Sequence, residues 1–377
     1  MKGKQGMVCM GLLLVLSSCH TGKQITASGL QRKDFQTEVN GQHTDLFTLS
    51  NKQGMEVCIT NYGARVVSIL VPDRNGKRED VVCGFSTITE YMEQRQNFGS
   101  TVGRYIGRIL NARFTLDGVE YKLVPNNGKS GHISHGGNPG FADRIWKVEQ
   151  ADTHRVRLSY LSPDGENGFP GNLKVTLVYS LGEDDNALDL TYEATTDAPT
   201  VLNLSHHSFF NISGNFTKSV EDQQLWVDAD RFTPYDDKKC VTGEYLQVAG
   251  TPLDFRMPHA IGECIDADHP QLKVVNGYDH TWELNTKGDD TRPAAWVYDP
   301  ASGRKMEIFT TEPGMQIYTG NGLKGKMTGK GGIAYPFRSA VCFETMHFQD
   351  SPNHPGFPST VLRPGEVFRS HTVYKFE

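Results

Sequence analysis

The chain has 377 residues, of which 37% are hydrophobic and 22% charged, and its formal net charge at pH 7 is −6. This length suffices for one large domain or two ordinary ones, and an acidic chain without a basic run argues against a nucleic-acid partner. The 39 glycines and 18 prolines favour short strands joined by many turns over long helices.

The first residues predict export. Lys2 and Lys4 form a positive n-region, and residues 7–16 form an apolar stretch that is too short to span a bilayer. This arrangement is typical of a signal peptide. The mature protein is therefore expected to be exported, either to the periplasm or to a membrane-anchored state.

The apolar stretch ends at Ser17, Ser18 and Cys19, which resembles the cleavage site of bacterial lipoproteins. We therefore predict a signal peptide over residues 1–18, lipid modification of Cys19, and a polar tether over residues 19–40. The protein would contact a membrane only through this N-terminal lipid. An ordinary signal peptide cut near Ser18 is the alternative, and export follows from both.

The remaining cysteines do not match a disulfide framework or a zinc site. Their number is odd, they are widely spaced, and no paired C-x-x-C is present. Small buried hydrophobic residues are therefore the default interpretation, with one disulfide left open for an oxidising compartment. These cysteines are Cys58, Cys83, Cys240, Cys264 and Cys342.

Strand-like segments rich in β-branched residues recur along the rest of the chain, with turn signals between them. Helical periodicity is confined to short turns near residues 86–93 and 257–261. Because no linker or repeat follows residue 40, we predict an all-β fold, a large single-domain antiparallel β-sandwich. The predicted strands are residues 54–60, 63–71, 112–116, 119–124, 154–161, 173–181, 187–195, 225–228, 294–298, 304–310, 315–319 and 339–344.

Two adjacent histidines, His206 and His207, follow a strand-like run and stand among hydroxyls, amides and aromatic residues. Histidine titrates near neutrality and can donate or accept a proton in a reaction. Since successive side chains of a strand point to opposite faces, only one of the two can face a given pocket. Two structural histidines, one in the core and one in solvent, are the alternative.

Four further segments place polar side chains beside turns or at a strand end. They contain Arg104 and Arg108 in residues 103–109, His135 in 131–137, Asp279 in 276–282 and Glu344 in 339–347. Taken alone, each could be an ordinary surface or loop residue, and Glu344 could be the first solvated residue beyond a core strand. Together, charged groups, amides and aromatic residues predict a cleft for a ligand with many hydroxyls, such as a sugar.

The order of these motifs resembles the aldose 1-epimerase (galactose mutarotase) family over residues 41–377. The resemblance implies the galactose mutarotase-like supersandwich fold. The matching motifs are Thr101-Val102-Gly103-Arg104 with Arg108-Ile109, Ser134-His135-Gly136-Gly137, Asn203 to Asn211, Asp228 to Pro234, Gly243-Glu244, Gly250 to Phe255, Gly277-Tyr278-Asp279-His280, Glu312 to Gln316, Tyr318 to Asn321, Glu344-Thr345 and Leu362 to Glu366.

The resemblance further implies a reversible interconversion of the α and β anomers of free hexoses such as glucose or galactose, without a cofactor or metal. In this family pattern His207 is the general acid and Glu344 the general base. The implied substrate-binding residues are Gly107, Arg108, His135, Ser208, Phe209, Asp279 and Gln316. The only implied partner is a free aldose, and a monomer is expected.

Three positions depart from the family pattern, which commonly has Asn, Asn and Tyr where this chain has Gly107, His206 and Phe209. The loss of amide and phenol groups removes hydrogen-bond partners, and this affects the expected sugar preference more than the expected reaction. Strand alternation predicts that His206 points away from the pocket, and a replacement sugar contact is the alternative.

Two other functions compete with an epimerase. A glycoside hydrolase commonly uses two carboxylates that flank the scissile bond, whereas the motifs here supply one carboxylate and a histidine. A non-catalytic sugar-binding lipoprotein would retain the aromatic residues and Asp279 but would not need Glu344 and His207 together. An epimerase for phosphorylated hexoses would need an additional basic cluster, and the sequence shows none.

Overall fold

Alternation of buried and exposed positions runs through the longest strands, as the sequence predicts. In the strand Leu173–Leu181, every second residue is buried from Leu173 onward. This period of two gives each strand one apolar face, which must be covered by another layer. The computed structural model describes residues 24–377, which fold into antiparallel sheets packed on a shared core. The prediction of an all-β antiparallel fold is confirmed.

The largest sheet has nine strands and contains both the predicted long central strands and the C-terminal strand. All neighbouring pairs in it are antiparallel. In spatial order its strands are Lys147–Ala151, Arg155–Ser162, Leu173–Leu181, Ala187–Thr196, Phe368–Phe376, Lys305–Thr310, Ala295–Tyr298, Gln224–Val227 and His259–Ala260.

A second, six-stranded antiparallel sheet lies across the same core. One face of this sheet contributes Met315, Ile317 and Phe343 to the core, together with Val175 and Leu177 of the nine-stranded sheet. The opposite face is left free for other contacts. In spatial order its strands are Phe209–Phe210, Val341–Met346, Gly314–Tyr318, Asp279–Glu283, Arg231–Thr233 and Leu246–Gln247.

Smaller sheets complete the fold. A four-stranded sheet is formed by Leu46–Ser50, Glu56–Thr60, Arg65–Pro72 and Arg78–Asp80. Two-stranded antiparallel pairs join Glu38–Val39 with Gln42–His43, Ser100–Val102 with Ser205–His207, Arg108–Ile109 with Ile133–Ser134, Arg113–Leu116 with Val119–Lys122, and Thr200–Val201 with Val361–Leu362. Several of these pairs bring the motif-bearing loops into contact.

Helices are few and short. The first α-helix, Ile88–Gln94, begins with a capping box between Thr87 and Glu90 and overlaps the predicted segment 86–93. The second, Pro270–Val275, has Pro at its first turn and is capped at its C-terminus by Asn276 in the left-handed conformation. The prediction of a helical turn near residues 257–261 is wrong, because His259–Ala260 pairs as an edge strand. Single 3₁₀ turns are Arg32–Phe35, Leu110–Ala112, Gly128–Ser130, Phe141–Asp143, Glu166–Gly168, Lys330–Gly332 and Ser351–Asn353.

The segment from residue 24 to residue 40 differs from the expected tether. Phe35 is fully buried and Leu30 nearly so, which anchors the segment to the domain. Arg32 forms an ion pair with Asp45, with its Nη2 2.5 Å from Oδ2. Two isolated apolar residues in a polar stretch are enough to dock it, because each removes a large side chain from water. The predicted signal peptide, Cys19 and the start of the tether lie outside the described residues.

All five cysteines of the described residues are free, and four of them are buried, in agreement with the default interpretation. Within residues 24–377, no helix has the length and hydrophobicity needed to cross a lipid bilayer.

His371, in the central strand Phe368–Phe376, bridges two carboxylates. Its Nε2 is 3.0 Å from Asp189 Oδ1 and its Nδ1 is 2.7 Å from Asp290 Oδ2. The hydrogen bond to Asp189 is the main cause that raises the pKa of His371 from 6.5 to about 9, while partial burial opposes the rise. The charged imidazolium therefore stabilises the fold below pH 6.5, and this contribution is lost as the pH rises through 9.

We expect the free energy of unfolding to fall by about 1–2 kcal/mol across that window, a value reduced for solvent screening. His371→Gln should lack this part of the pH dependence. Urea denaturation at several pH values would measure it. An unchanged pH dependence in the variant would contradict the role assigned to His371.

Candidate active site

The candidate site is built on one face of the six-stranded sheet, opposite the face that joins the core. Gln316 and Glu344 are cross-strand partners, and Thr281 pairs with Gln316 from the next strand. Two residues along, Tyr318 pairs with both Asp279 and Cys342. Alternation therefore aligns the polar side chains in two rows on the same face.

His207 reaches this face from a neighbouring two-stranded sheet, in which it pairs with Ser100. Its Nε2 lies 3.4 Å from Oε1 of Glu344. The imidazole ring stacks on Phe209, with ring centroids 5.0 Å apart, and its Nδ1 lies 3.6 Å from the sulfur of Cys342. The Phe209 ring on one side and the Cys342 sulfur on another hold the imidazole of His207 against the carboxyl group of Glu344.

A pair of loops closes the other side of the site. The short strands Arg108–Ile109 and Ile133–Ser134 pair, and the N–H of His135 donates to the carbonyl of Gly107 at 2.9 Å. Gly136 must be glycine here, because its φ is +77° and a Cβ would lie 2.0 Å from the carbonyl oxygen of Gly103. The strand pairing and the hydrogen bond to Gly107 keep His135 close to Arg108.

Together these elements enclose a polar cavity of about 240 Å³. Its floor is the six-stranded sheet and its walls are the two loops and the segment after the first α-helix. The lining residues are Gln96, Asn97, Gly107, Arg108, Ser134, His135, His207, Phe209, Asp279, Gln316, Tyr318, Glu344, Met346 and Gln349.

Burial controls the protonation of the central pair. It raises the pKa of Glu344 well above the ordinary 4.5, and the nearby Asp279 carboxylate adds to the rise. It lowers the pKa of His207 well below the ordinary 6.5, and the neighbouring His135 adds to the fall. Both shifts favour a neutral carboxylic acid beside a neutral imidazole in the free site.

The surrounding polar groups are held by hydrogen bonds. The Nε2 of Gln316 donates to Asp279 Oδ1 at 2.7 Å, and its Oε1 accepts from Thr281 Oγ1 at 2.5 Å. Burial raises the pKa of Asp279, while Arg108 and Gln316 oppose the rise. Burial and Arg108 lower the pKa of His135 to about 4, so this imidazole is neutral at physiological pH.

Most of the residues that the sequence predicts for the site line this cavity. Gly107, Arg108, His135, His207, Phe209, Asp279, Gln316 and Glu344 are all among the lining residues. Ser208 is not, because its hydroxyl turns away and lies 2.6 Å from Nε2 of His206. His206 itself is buried outside the cavity beside Tyr179, as strand alternation predicted.

Several lining residues were not found from the sequence. Met346 could have been, because it lies two residues after Glu344 on the same strand face. Ser134 and Tyr318 belong to motifs of the family resemblance, which implies no sugar contact for either of them. Gln96, Asn97 and Gln349 lie in irregular segments, where no periodicity marks a direction. These six are Gln96, Asn97, Ser134, Tyr318, Met346 and Gln349.

One group of potential metal ligands exists within the described residues. His207, Cys342 and Glu344 each bring one ligand atom within 4.8 Å of the others. Burial raises the pKa of the Cys342 thiol well above 9 and that of Glu344 above its ordinary value. A metal would need the deprotonated forms of both, so these surroundings oppose metal binding.

A model of the aldose 1-epimerase family matches residues 45–375. The chain belongs to the aldose 1-epimerase family. Galactose mutarotase of Bos taurus is 40% identical over 331 residues, which cover 88% of this chain and 93% of that protein. Aldose 1-epimerase of Escherichia coli is 36% identical over 339 residues, which cover 89% and 96%.

Solved structures of the aldose 1-epimerase family agree with this assignment. An aldose epimerase homologue from C. elegans is 31% identical and superposes with a TM-score of 0.81, covering 89% of this chain and 99% of the other. Galactose 1-epimerase from Lactobacillus acidophilus is 28% identical with a TM-score of 0.78, covering 90% and 96%. The predicted galactose mutarotase-like fold is confirmed.

Proposed function

We propose that this protein is an aldose 1-epimerase that interconverts the α and β anomers of free hexoses, with Glu344 and His207 as its proton-transfer pair. The observation that carries the proposal is the 3.4 Å contact between Oε1 of Glu344 and Nε2 of His207 inside a polar, sugar-sized cavity. The named relatives support the same reaction, since they are a galactose mutarotase and an aldose 1-epimerase.

Opening a cyclic hemiacetal requires one group to take the proton of the C1 hydroxyl while another protonates the ring oxygen. A pair that holds a single proton supplies one base and one acid at the same time, and the roles reverse when the ring closes on the other face. Glu344 and His207 are such a pair. Burial favours that proton on Glu344 in the free site, and the short Nε2 to Oε1 distance allows its transfer to His207 when a sugar binds.

The remaining lining groups suit a polyhydroxyl substrate. Arg108 supplies a positive charge that can offset negative charge developing on the sugar during ring opening. Asp279 and Gln316 present a carboxylate and an amide from adjacent strands, with which hydroxyls can exchange hydrogen bonds. Phe209 offers a flat apolar surface. A free aldose therefore meets its hydrogen-bonding partners without a cofactor.

The single-proton requirement predicts a broad pH profile for kcat/KM. Adding a proton to the pair creates a buried positive charge, and removing the last one creates a buried negative charge, and burial opposes both. The acid limb, which is protonation of His207, should therefore lie well below pH 6.5, and the alkaline limb, which is deprotonation of Glu344, should lie well above pH 4.5. Polarimetry across a pH series would measure both limbs. A rate that rises through a single titration near pH 6.5 and then stays level would contradict the pair.

The direct test of the reaction is polarimetry on freshly dissolved α-D-glucose and α-D-galactose. The protein should accelerate the drift of optical rotation toward the equilibrium value, compared with buffer alone. Rates equal to buffer on a panel of free hexoses and pentoses would contradict the proposal and favour the sugar-binding lipoprotein. Release of aryl alcohol from aryl glycosides would favour the hydrolase instead.

We further propose that the mature protein is an exported lipoprotein attached through Cys19. The support is the sequence alone, namely the positive start, the short apolar stretch and the small residues before Cys19. Because residues 24–40 pack on the domain, the proposed tether would shorten to residues 19–23. In a bacterial host, the wild type should partition with membranes and Cys19→Ala should not. Equal partitioning of both would contradict the lipid anchor.

A further inference from the structure

Gln349 lies three residues beyond the strand Val341–Met346 and joins the two halves of the cavity. Its side chain lines the cavity and is 4% exposed. It reaches the loop of Gly107 on one side and the sheet residue Gln316 on the other. No motif in the sequence drew attention to it.

The amide of Gln349 is used almost completely. Its Oε1 accepts from the backbone N–H of Arg108 at 3.2 Å. Its Nε2 donates to the hydroxyl of Tyr235 at 2.7 Å and to Oε1 of Gln316 at 3.3 Å. An amide oxygen has two lone pairs, so one acceptor position remains for a substrate hydroxyl.

The side chain of Gln349 can take this position only because residue 107 is a glycine and has no side chain. A Cβ at Gly107 would lie 2.5 Å from Cγ of Gln349, which is closer than two carbons can approach. Gln349 therefore fills the space into which a side chain at position 107 would project.

We infer that Gln349 is a specificity-determining residue of the sugar site, whose amide occupies the space that a side chain at position 107 would otherwise fill. It fixes the backbone of Arg108 and the amide of Gln316, both of which face the cavity, and presents its remaining lone pair to a sugar hydroxyl. The inference rests on the proposed aldose substrate. It concerns sugar binding and leaves the proton transfer to Glu344 and His207.

Single substitutions at Gln349 separate the effect of its hydrogen bonds from the effect of its volume. Gln349→Ala removes both, and Gln349→Met keeps a side chain of similar length without hydrogen-bonding groups. Each leaves the Arg108 N–H and the Tyr235 hydroxyl without this partner, and should raise KM for the preferred aldose about tenfold, the cost of one to two hydrogen bonds. The kcat should change by less than about threefold, since the proton-transfer pair is untouched.

Double substitutions test whether a side chain at position 107 can replace the side chain of Gln349. Gly107→Asn alone should raise KM, because its Cβ collides with Gln349. Asn tolerates the φ of +76° found at this position better than most residues do. In the Gln349→Ala background the same Asn enters the vacated space, and KM should return to within about threefold of the wild type. In the Gln349→Met background the space stays filled, and no recovery is expected.

The measurements are kcat and KM on a panel of free aldoses, with thermal melting to confirm folding and the exposed Gln247→Ala as a matched control. A wild-type KM in Gln349→Met would overturn the inference, because volume alone would then suffice. An increase in KM for Gly107→Asn/Gln349→Ala equal to the product of the two single effects would also overturn it.

Binding can be measured apart from catalysis. Dissociation constants for the same aldoses, determined by calorimetry in the Glu344→Gln background, should show the same tenfold loss and the same recovery. This pattern in binding, combined with no mutarotation by the wild type, would reject the proposed reaction and retain the role of Gln349. The reverse result, mutarotation without any effect of Gln349 on binding, would reject the inference alone.

Discussion

Replacing Glu344 with Gln is expected to lower kcat for mutarotation by about 10²–10⁴, the usual contribution of a positioned proton-transfer group. Gln has the same shape and cannot exchange a proton. Because burial favours the neutral form of Glu344 in the free site, the neutral amide should be accommodated with little loss of stability. His207→Asn is expected to cause a loss of similar size, since either substitution leaves a single member of the pair.

Polarimetric rates at saturating sugar would measure both effects. Glu193→Gln and His154→Asn are matched controls, since both lie on partly exposed positions away from the cavity lining, and they should retain wild-type rates. The double variant Glu344→Gln/His207→Asn should be little slower than either single variant, because the two residues act as a unit.

A Glu344→Gln variant that keeps more than about a tenth of the wild-type kcat would contradict the assignment of the base. Asp279 is the other carboxylate that lines the cavity within the described residues, and it would then be the group to test. A loss of activity accompanied by a lower melting temperature would instead point to a structural role. Thermal melts of both variants distinguish these outcomes.

Arg104→Met is expected to destabilise the fold by about 3–5 kcal/mol. The sequence marked Arg104 together with Arg108, but the structure buries Arg104 at 2% exposure, away from the cavity lining. Its guanidinium donates to main-chain carbonyls and hydroxyls of three separate segments. The acceptors are the hydroxyl and carbonyl oxygens of Ser162, the carbonyl oxygens of Pro163, Pro170 and Gly171, and the hydroxyl of Thr200.

The expected loss of stability in Arg104→Met comes from the buried acceptors that remain without a donor. Burial lowers the pKa of Arg104 to about 10, so the guanidinium is charged at neutral pH and held by these acceptors. Met fills part of the volume and leaves several buried acceptors without a donor, each costing about 1–3 kcal/mol if no water replaces it. Because Arg104 and Arg108 belong to the same loop, loss of sugar binding should accompany loss of stability.

Chemical denaturation would measure the change in unfolding free energy. Arg104→Lys should be intermediate, since it keeps the charge with fewer donors. Arg155→Met, at an exposed position of the nine-stranded sheet, is the control and should change stability by less than about 0.5 kcal/mol. An Arg104→Met variant as stable as this control would show that the loops do not depend on the guanidinium.

The long strands could be predicted because burial imposes a period of two on many residues. The sequence of Leu173–Leu181 carries that period throughout, and the predicted and observed bounds agree. Short strands such as Ser100–Val102 and Ser205–His207 contain too few residues to show it, and they form because neighbouring segments of the fold supply their partners. The helix Pro270–Val275 has its start and stop signals but is only six residues long.

The same reasoning explains what was found of the candidate site. Glu344 stood out as a lone carboxylate in an apolar strand. The adjacent residues His206 and His207 had to point to opposite faces of their strand, so that one of them could face a pocket. The docking of residues 24–40 was not predictable, because Leu30 and Phe35 are single apolar residues without a pattern. The direction of Ser208 depended on the neighbouring His206, which competes for its hydroxyl. Gln349 acquires a role only through residues that are distant in the chain.

The two rows of polar side chains on the six-stranded sheet make this protein sensitive to changes of length within a strand. Deleting one residue between positions 341 and 343 would rotate every later side chain of that strand to the opposite face. If Cys342 were deleted, Phe343 would take its place beside His207, and Glu344 would take the place of Phe343 in the apolar core. Natural insertions and deletions in this lineage should therefore fall in the turns between strands and avoid these segments.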